Sequence, residues 1–453
     1  MPVIPLRYES LKAILPYMDP NTRFQISLHI PSVSSLESRI PLKIENLTFA
    51  GSFTEVNEVS YRLAVYRDYG RNETPLDVVR MNQRGGSFND IDQYGVIIYP
   101  GLNHVLPGDL DLRTGVQLDV PVYTEEWEQG HAQQLRILKM LLAERLNQEY
   151  IEDDETRNAG ASNETFRQTV LNDSVESIQD QIQSLRDRLS AYNNRRNNQI
   201  PPCTSWIQFT TSSPKGVTIH RVAYNKYLYE AKKAVHTKLF GNRDLNISVK
   251  NLKIELHDRI IRFPAATVLK IENLEVLFWN SLALDRFKQV IHPSSFPLQQ
   301  LKVSSSVFAA DFQHTIVREA KILIIGNITS ENGSWTPILR NLTNRIVYLE
   351  NENRRNPPNN YMDLIENWLE RGRPIGTTFY MGIKNEETVK QCLDILRQRQ
   401  EVIGSSEKQV QLRINAALML EVSYEMIEQP GRFLRNAHGK WWLRLRVVRG
   451  RSD

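Results

Sequence analysis

Six consecutive residues, Leu42-Lys43-Ile44-Glu45-Asn46-Leu47, return unchanged as Leu269-Lys270-Ile271-Glu272-Asn273-Leu274. A looser copy, Val249-Lys250-Asn251-Leu252-Lys253-Ile254, stands between them. Apolar residues alternate on both sides of the asparagine, as in Ile247 and Val249 followed by Leu252, Ile254 and Leu256, or Leu269 and Ile271 followed by Leu274, Val276 and Phe278. Period-two alternation predicts a half-buried strand. The one-residue change of phase at Asn-Leu predicts an irregularity within it, such as a bulge. Four β-favouring letters recur by chance, whereas six with matching flanks constrain the fold to repeated strands. Such strands cannot keep their apolar sides dry alone, so neighbouring rungs are expected.

Further strands follow at Leu301-Lys302-Val303, Ile322 to Ile325, Ile346 to Leu349 and Thr378 to Met381. Helical patterns lie between several of them, at Leu282 to Val290, Trp335 to Leu342 and Met362 to Arg371. Strand starts some 22 to 30 residues apart match the pitch of a leucine-rich-repeat solenoid. The asparagine spacing typical of those repeats is missing, so the expected fold is α/β (α+β), with an irregular leucine-rich-repeat-like stack in the C-terminal half. After a helix at Glu386 to Arg399, Leu418 to Ser423 and Trp441 to Val447 read as a closing β-pair over the last edge. The basic letters around Trp441-Trp442 suggest nucleic acid, but Leu443, Leu445 and Val447 alternate with Arg444 and Arg446, which favours a strand with one wet face.

A length of 453 residues exceeds what one core sustains, so several domains are expected. Composition divides the chain into 1–124, with N-terminal helices and short strands; 125–200, a helical insertion; and 201–453, the strand-helix stack. In the insertion, Gln133 to Leu146 is an amphipathic helix, and Glu152 to Asn163 an acidic and polar linker. Val175, Ile178, Ile182, Leu185, Leu189 and Tyr192 then trace a coiled-coil seam of about two and a half heptads. That seam pairs with the first helix or with another chain, the internal hairpin being favoured. The N-terminal segment carries two short helices, through Leu6, Leu11, Ile14, Leu15 and Met18 and from Arg23 to Ser27, separated by Asp19-Pro20. Pro31 and Ser32 to Ser35 read as a release toward the first strand, and Arg67 to Ile91, with Gly85-Gly86, as loop.

A net charge of +4 gives no reason to invoke nucleic acid or an anionic membrane. No apolar run long enough to span a bilayer occurs, and two distant cysteines fit a reducing cytosol or nucleus. Metalloprotease, nucleophile-elbow, phosphate-loop, calcium-loop and dinucleotide motifs are all missing. His104, Asp109 and Asp111 are the one grouping that suggests metal or acid–base work, although loop aspartates are more often turn residues. The expectation is therefore a non-enzymatic protein with no catalytic residue, metal or cofactor.

Leu6, Leu11, Ile14, Leu15, Met18, Asp19, Pro20 and Ile26 resemble an F-box, the helical module that docks on the adaptor subunit of cullin-type ubiquitin ligases. The same letters also serve helices that merely pack on the next strand. Over most of its length the chain is similar to the nematode F-box C proteins, a family with kinship to F-box-associated domains. The shared motifs are Tyr8-Glu9-Ser10-Leu11, Leu15 to Ser27, Asn57 to Tyr61, Asp92 to Gly95, Leu106 to Asp109, Ala143 to Asn147 and Lys238 to Arg243. The resemblance implies a recognition subunit whose N-terminal helices dock the ligase adaptor and whose C-terminal region binds a target protein. The alternative is a scaffold without a ligase link.

Overall fold

The computed structural model describes residues 8–113, 125–152, 164–241, 243, 247–255, 260–277, 279–304, 309–326, 335–350, 360–427 and 441–450. Leu6 and residues 153–163 of the expected linker lie outside them. The fold is α+β, and the chain divides into two compact units. One comprises Met1–Asn57, Pro107–Val116 and Thr237–Asp453, the other Glu58–Leu106 and Gln117–His236.

The first unit is built on parallel strands. Leu42–Ala50 lies beside Ile247–Glu255, which lies beside Leu269–Val276, so the three copies of the repeated segment are adjacent rungs. Leu47, Leu252 and Leu274 stand opposite one another and are each at most 3% exposed. Gln300–Ser304, Ile322–Gly326, Ile346–Leu349 and Thr378–Ile383 continue the stack, every neighbouring pair parallel. Burial changes phase at the asparagine as the letters predict, from Leu42 and Ile44 to Leu47 and Phe49. No bulge accompanies it. Register is unchanged from Leu42 opposite Ile247 to Ala50 opposite Glu255, because neighbouring rungs share the same irregularity and stay in step. The asparagine side chains form their own ladder: Asn251 Nδ2 donates to Asn46 Oδ1 at 3.0 Å, and Asn273 Nδ2 to Asn251 Oδ1 at 2.9 Å.

Helices return between rungs and bury their apolar stripes, including Leu284 and Phe287, Leu364, Ile365 and Trp368, and Val389, Leu393 and Leu396. Trp368 meets Phe379 edge-on at 4.9 Å. The expected closing pair is present as Leu418–Met426 and Trp441–Arg449, the latter antiparallel to Thr378–Ile383. It does not end the sheet, because Gln409–Arg413 and Val402–Ser406 extend it further. A second difference lies upstream of the first rung, where Pro31–Ser38 is a helix and not a loop. Proline suits its first position, and Leu36 anchors it against Leu15 and Ile40.

In the second unit Glu125–Arg145 and Val175–Arg196 form an antiparallel hairpin. Leu135, Leu138 and Leu141 pack with the heptad residues Ile178, Ile182, Leu185, Leu189 and Tyr192, so the seam closes within one chain. Its far end is tied by Arg196 to Glu128. Val59–Asp68, Thr204–Ser213 and Gly216–Ala223 make an antiparallel ribbon. Helix Leu228–Phe240 sets Leu228 and Ala231 against Val65, Ile91 and Ile207. The stretch read as loop contains helix Leu76–Gln83, whose Asp77 N–H donates to Asp187 Oδ2 at 3.0 Å. Gly86 then turns at φ +108°, where a Cβ would fall 2.7 Å from the Val65 carbonyl. That approach lets Ser87 bridge to Val65.

Candidate functional site

Asp19 caps helix Pro20–His29, its Oδ2 accepting from the N–H groups of Asn21 at 2.9 Å and Thr22 at 3.1 Å. Asn21 donates to the Val56 carbonyl at 3.0 Å, and Arg23 disappears into the interior. There its guanidinium donates to Glu37 Oε1 and to the carbonyls of Pro41, Glu37 and Ile40. Arg243 reaches the same carboxylate from 206 residues further along the chain, at 3.0 and 2.9 Å from its two oxygens. Burial holds both guanidinium groups below their ordinary pKa, against the pull of Glu37. Asn57, at φ +55°, accepts from the N–H groups of Glu45 and Asn46 and donates to Asp19. The N-terminal helices are thus pinned to the first rung by side chains that belong to the family-like motifs.

The F-box-like residues fall into two groups. Leu15 is fully buried with Leu36 and Ile40, and Leu11 and Met18 pack partly buried against that cluster. Pro20 is buried, Ile26 is partly buried, and Asp19 is the cap. Ile14 faces water, as do three large residues the sequence did not single out: Tyr17, 90% exposed, Leu28 and Ile30. Four large apolar side chains are thus left in water on a packed helical module.

A second feature is a row across the strand stack that is buried at Lys302 and Ile324 and partly exposed from Tyr348 to Arg444, its tyrosines missed by sequence reasoning. Residues in register share a face, and Lys302, Ile324, Tyr348, Tyr380 and Arg444 form one row. The Tyr348 and Tyr380 rings lie parallel at 4.5 Å, with Trp442 edge-on to both. Burial pushes the Tyr348 hydroxyl up to about 12. Arg444 donates to Glu421 at 2.9 Å and Ser423 at 3.0 Å. At the other end of the row the buried Lys302 ammonium meets Glu350 at 2.9 Å; burial pushes that carboxyl up and Lys302 opposes the shift. Tyrosine, tryptophan and arginine dominate the binding free energy at protein interfaces. Their signal in the sequence is an aromatic or arginine at the wet position of successive strands.

The acid–base candidates do not assemble. Asp109 is held by the buried Arg262 at 2.6 Å, Asp111 by Arg113 and Arg286, and His104 stacks on Tyr229. Among the described residues no three metal-ligating side chains come together. A cavity of about 800 Å³ opens in the second unit, walled by Tyr69, Tyr94, Trp127, His131, Arg188 and Tyr192. Burial and then the Arg188 charge hold His131 below its ordinary pKa. Among the described residues no helix is long and apolar enough to cross a membrane.

The geometry defines a class: parallel rungs backed by helices, capped by antiparallel strands and carrying an N-terminal helical module. Residues 227–385, about a third of the chain, match the model of a family described as "Domain of unknown function (DUF3557)". The matched stretch runs from helix Leu228–Phe240 through strand Thr378–Ile383, and so contains every parallel rung except Leu42–Ala50. No curated protein and no solved structure matches the chain.

Proposed function

We propose that the chain is a non-enzymatic recognition subunit of a cullin-type ubiquitin ligase. Its N-terminal helices dock the ligase adaptor through Ile14, Tyr17, Leu28 and Ile30, while the Tyr348, Tyr380 and Arg444 face of the stack holds a target protein. The exposure of those four apolar side chains, on helices otherwise packed and pinned, carries this reading. The finer kinship with nematode F-box C proteins belongs to the same proposal, as does action in the cytosol or nucleus. A second reading has its own support: the Arg23, Glu37 and Arg243 cluster gives the helices a structural task that needs no adaptor.

Co-purification separates the two. The wild-type chain brings down the adaptor, and Ile14→Asp with Tyr17→Asp abolishes capture while leaving the melting temperature unchanged, since both side chains face water. Leu15→Asp is unsuited to this test because it breaks the interior of the helical module. If wild-type chain captures no adaptor, or the double variant captures it equally well, the ligase reading fails and the scaffold reading stands.

A further inference from the structure

Every residue of strand Gly216–Ala223 is exposed, and Val217, Ile219 and Val222 leave 64%, 51% and 58% of their surface in water. The strand pairs on one side with Thr204–Ser213 and, among the described residues, stands last in its sheet. It is eight residues long and contains no proline, lysine or carboxylate, the devices that usually blunt such an edge. The terminal strand of the first unit shows the contrast. Val402–Ser406 carries a register shift at Gly404, and Arg397 covers it by donating to the carbonyls of Ser406 and Glu407.

We propose that Gly216–Ala223 is a self-pairing edge, which joins two copies of this chain by antiparallel strand addition about a two-fold axis at Ile219. The direction of the backbone limits which residues pair, and the side chains select the register. Tyr224 N–H donates inward to the Ser205 carbonyl, so by alternation Val217, Ile219 and Arg221 turn their N–H and C=O groups outward, whereas the Ala223 carbonyl accepts from the Asn225 N–H at 3.0 Å. Two-fold pairing of outward groups joins odd positions to odd positions. An axis at Arg221 sets guanidinium against guanidinium, an axis at Thr218 sets Arg221 against Lys215, and an axis at His220 pairs Val217 with Ala223, whose carbonyl already accepts from the Asn225 N–H. The axis at Ile219 places two isoleucines together and each Arg221 opposite a Val217, so no like charges meet. Arg221 is already engaged, donating to Gln208 at 2.8 Å and lying 3.5 Å over the Tyr66 ring. The contact is isologous and closes at two copies, which fills the exposed edge without fibre growth.

Only a residue on the axis meets its own twin, and this makes the register testable. Sedimentation of this chain at micromolar concentration is expected to show a dimer. Ile219→Lys alone and Ile219→Glu alone each weaken it at least about tenfold by opposing like charges. An equimolar mixture of the two variants recovers the dimer, and both keep the wild-type melting temperature because position 219 faces water. A wild-type chain that stays monomeric, a dimer indifferent to Ile219→Lys, or a mixture that stays monomeric overturns the proposal. A monomer that instead binds an unrelated extended peptide along this edge overturns the self-pairing in favour of a heterologous partner.

Discussion

Glu37 neutralises two buried arginines that come from different segments of the first unit's sequence. Arg23 lies 14 residues away and Arg243 lies 206 residues away, yet both donate to one carboxylate that is 3% exposed. Replacing it with glutamine keeps the shape and removes the charge, leaving Arg23 and Arg243 buried without an anion. Glu37→Gln is therefore expected to destabilise the protein by about 3–5 kcal/mol, read as a lowered urea midpoint. An unchanged midpoint would mean that the carbonyls around Arg23 suffice. The two arginines of this cluster lie in the motifs Leu15 to Ser27 and Lys238 to Arg243, but Glu37 and the pairing were not visible, since nothing local links Arg243 to Glu37. For the same reason Asp109 and Asp111 looked like a chemical group, whereas each is matched to an arginine well beyond its own loop, Arg262 and Arg286.

At the scale of elements, alternation was legible wherever a strand has one dry side. The rungs at Leu252 and Leu274 were read from it directly, as was the seam of helix Val175–Arg196, because burial and hydrophobic period are two views of one constraint. Elements without a long apolar stripe were hidden. Pro31–Ser38 has three serines in its first five residues, Leu76–Gln83 sits among loop letters, and Gly216–Ala223 has no buried residue to set a period. The turn letters Ser213-Pro214-Lys215-Gly216 were the available sign of that last hairpin. Dependence of each rung on its neighbours gives a prediction at this scale. Leu274 is 1% exposed and lies opposite Leu252 on one side and Leu301 on the other. Leu274→Asp is expected to cost about 3–5 kcal/mol through a buried, unpaired charge, lowering the urea midpoint. Tolerance of that change would show that the rung is not packed as described.

For the molecule as a whole, the two units interleave along the chain, and composition does not signal the nesting. Pro107–Val116 belongs with the first unit because Leu110–Asp111 pairs with Ile260–Ile261 and Asp109 with Arg262. The first rung is likewise separated in sequence from its neighbour by all of the second unit, and Asn251 reaches Asn46 across 205 residues. Repetition of the segment was the one trace of that adjacency, because strands that stack in step repeat the same irregularity.

Adjacency in register is the claim on which the recognition surface and the pinned helices depend, and a cross-link measures it directly. Lys43 and Ser248 stand opposite each other on neighbouring strands, with Lys43 exposed and Ser248 partly so. Neighbouring strands lie about 4.8 Å apart, within reach of a disulfide. With Cys203 and Cys392 replaced by serine, Lys43→Cys with Ser248→Cys is expected to form a disulfide on mild oxidation, identified by mass spectrometry of the joined peptides. Lys43→Cys with Lys250→Cys, two residues out of register, is expected to remain reduced. Failure of the first pair to link, or equal linking of both, would contradict the stack.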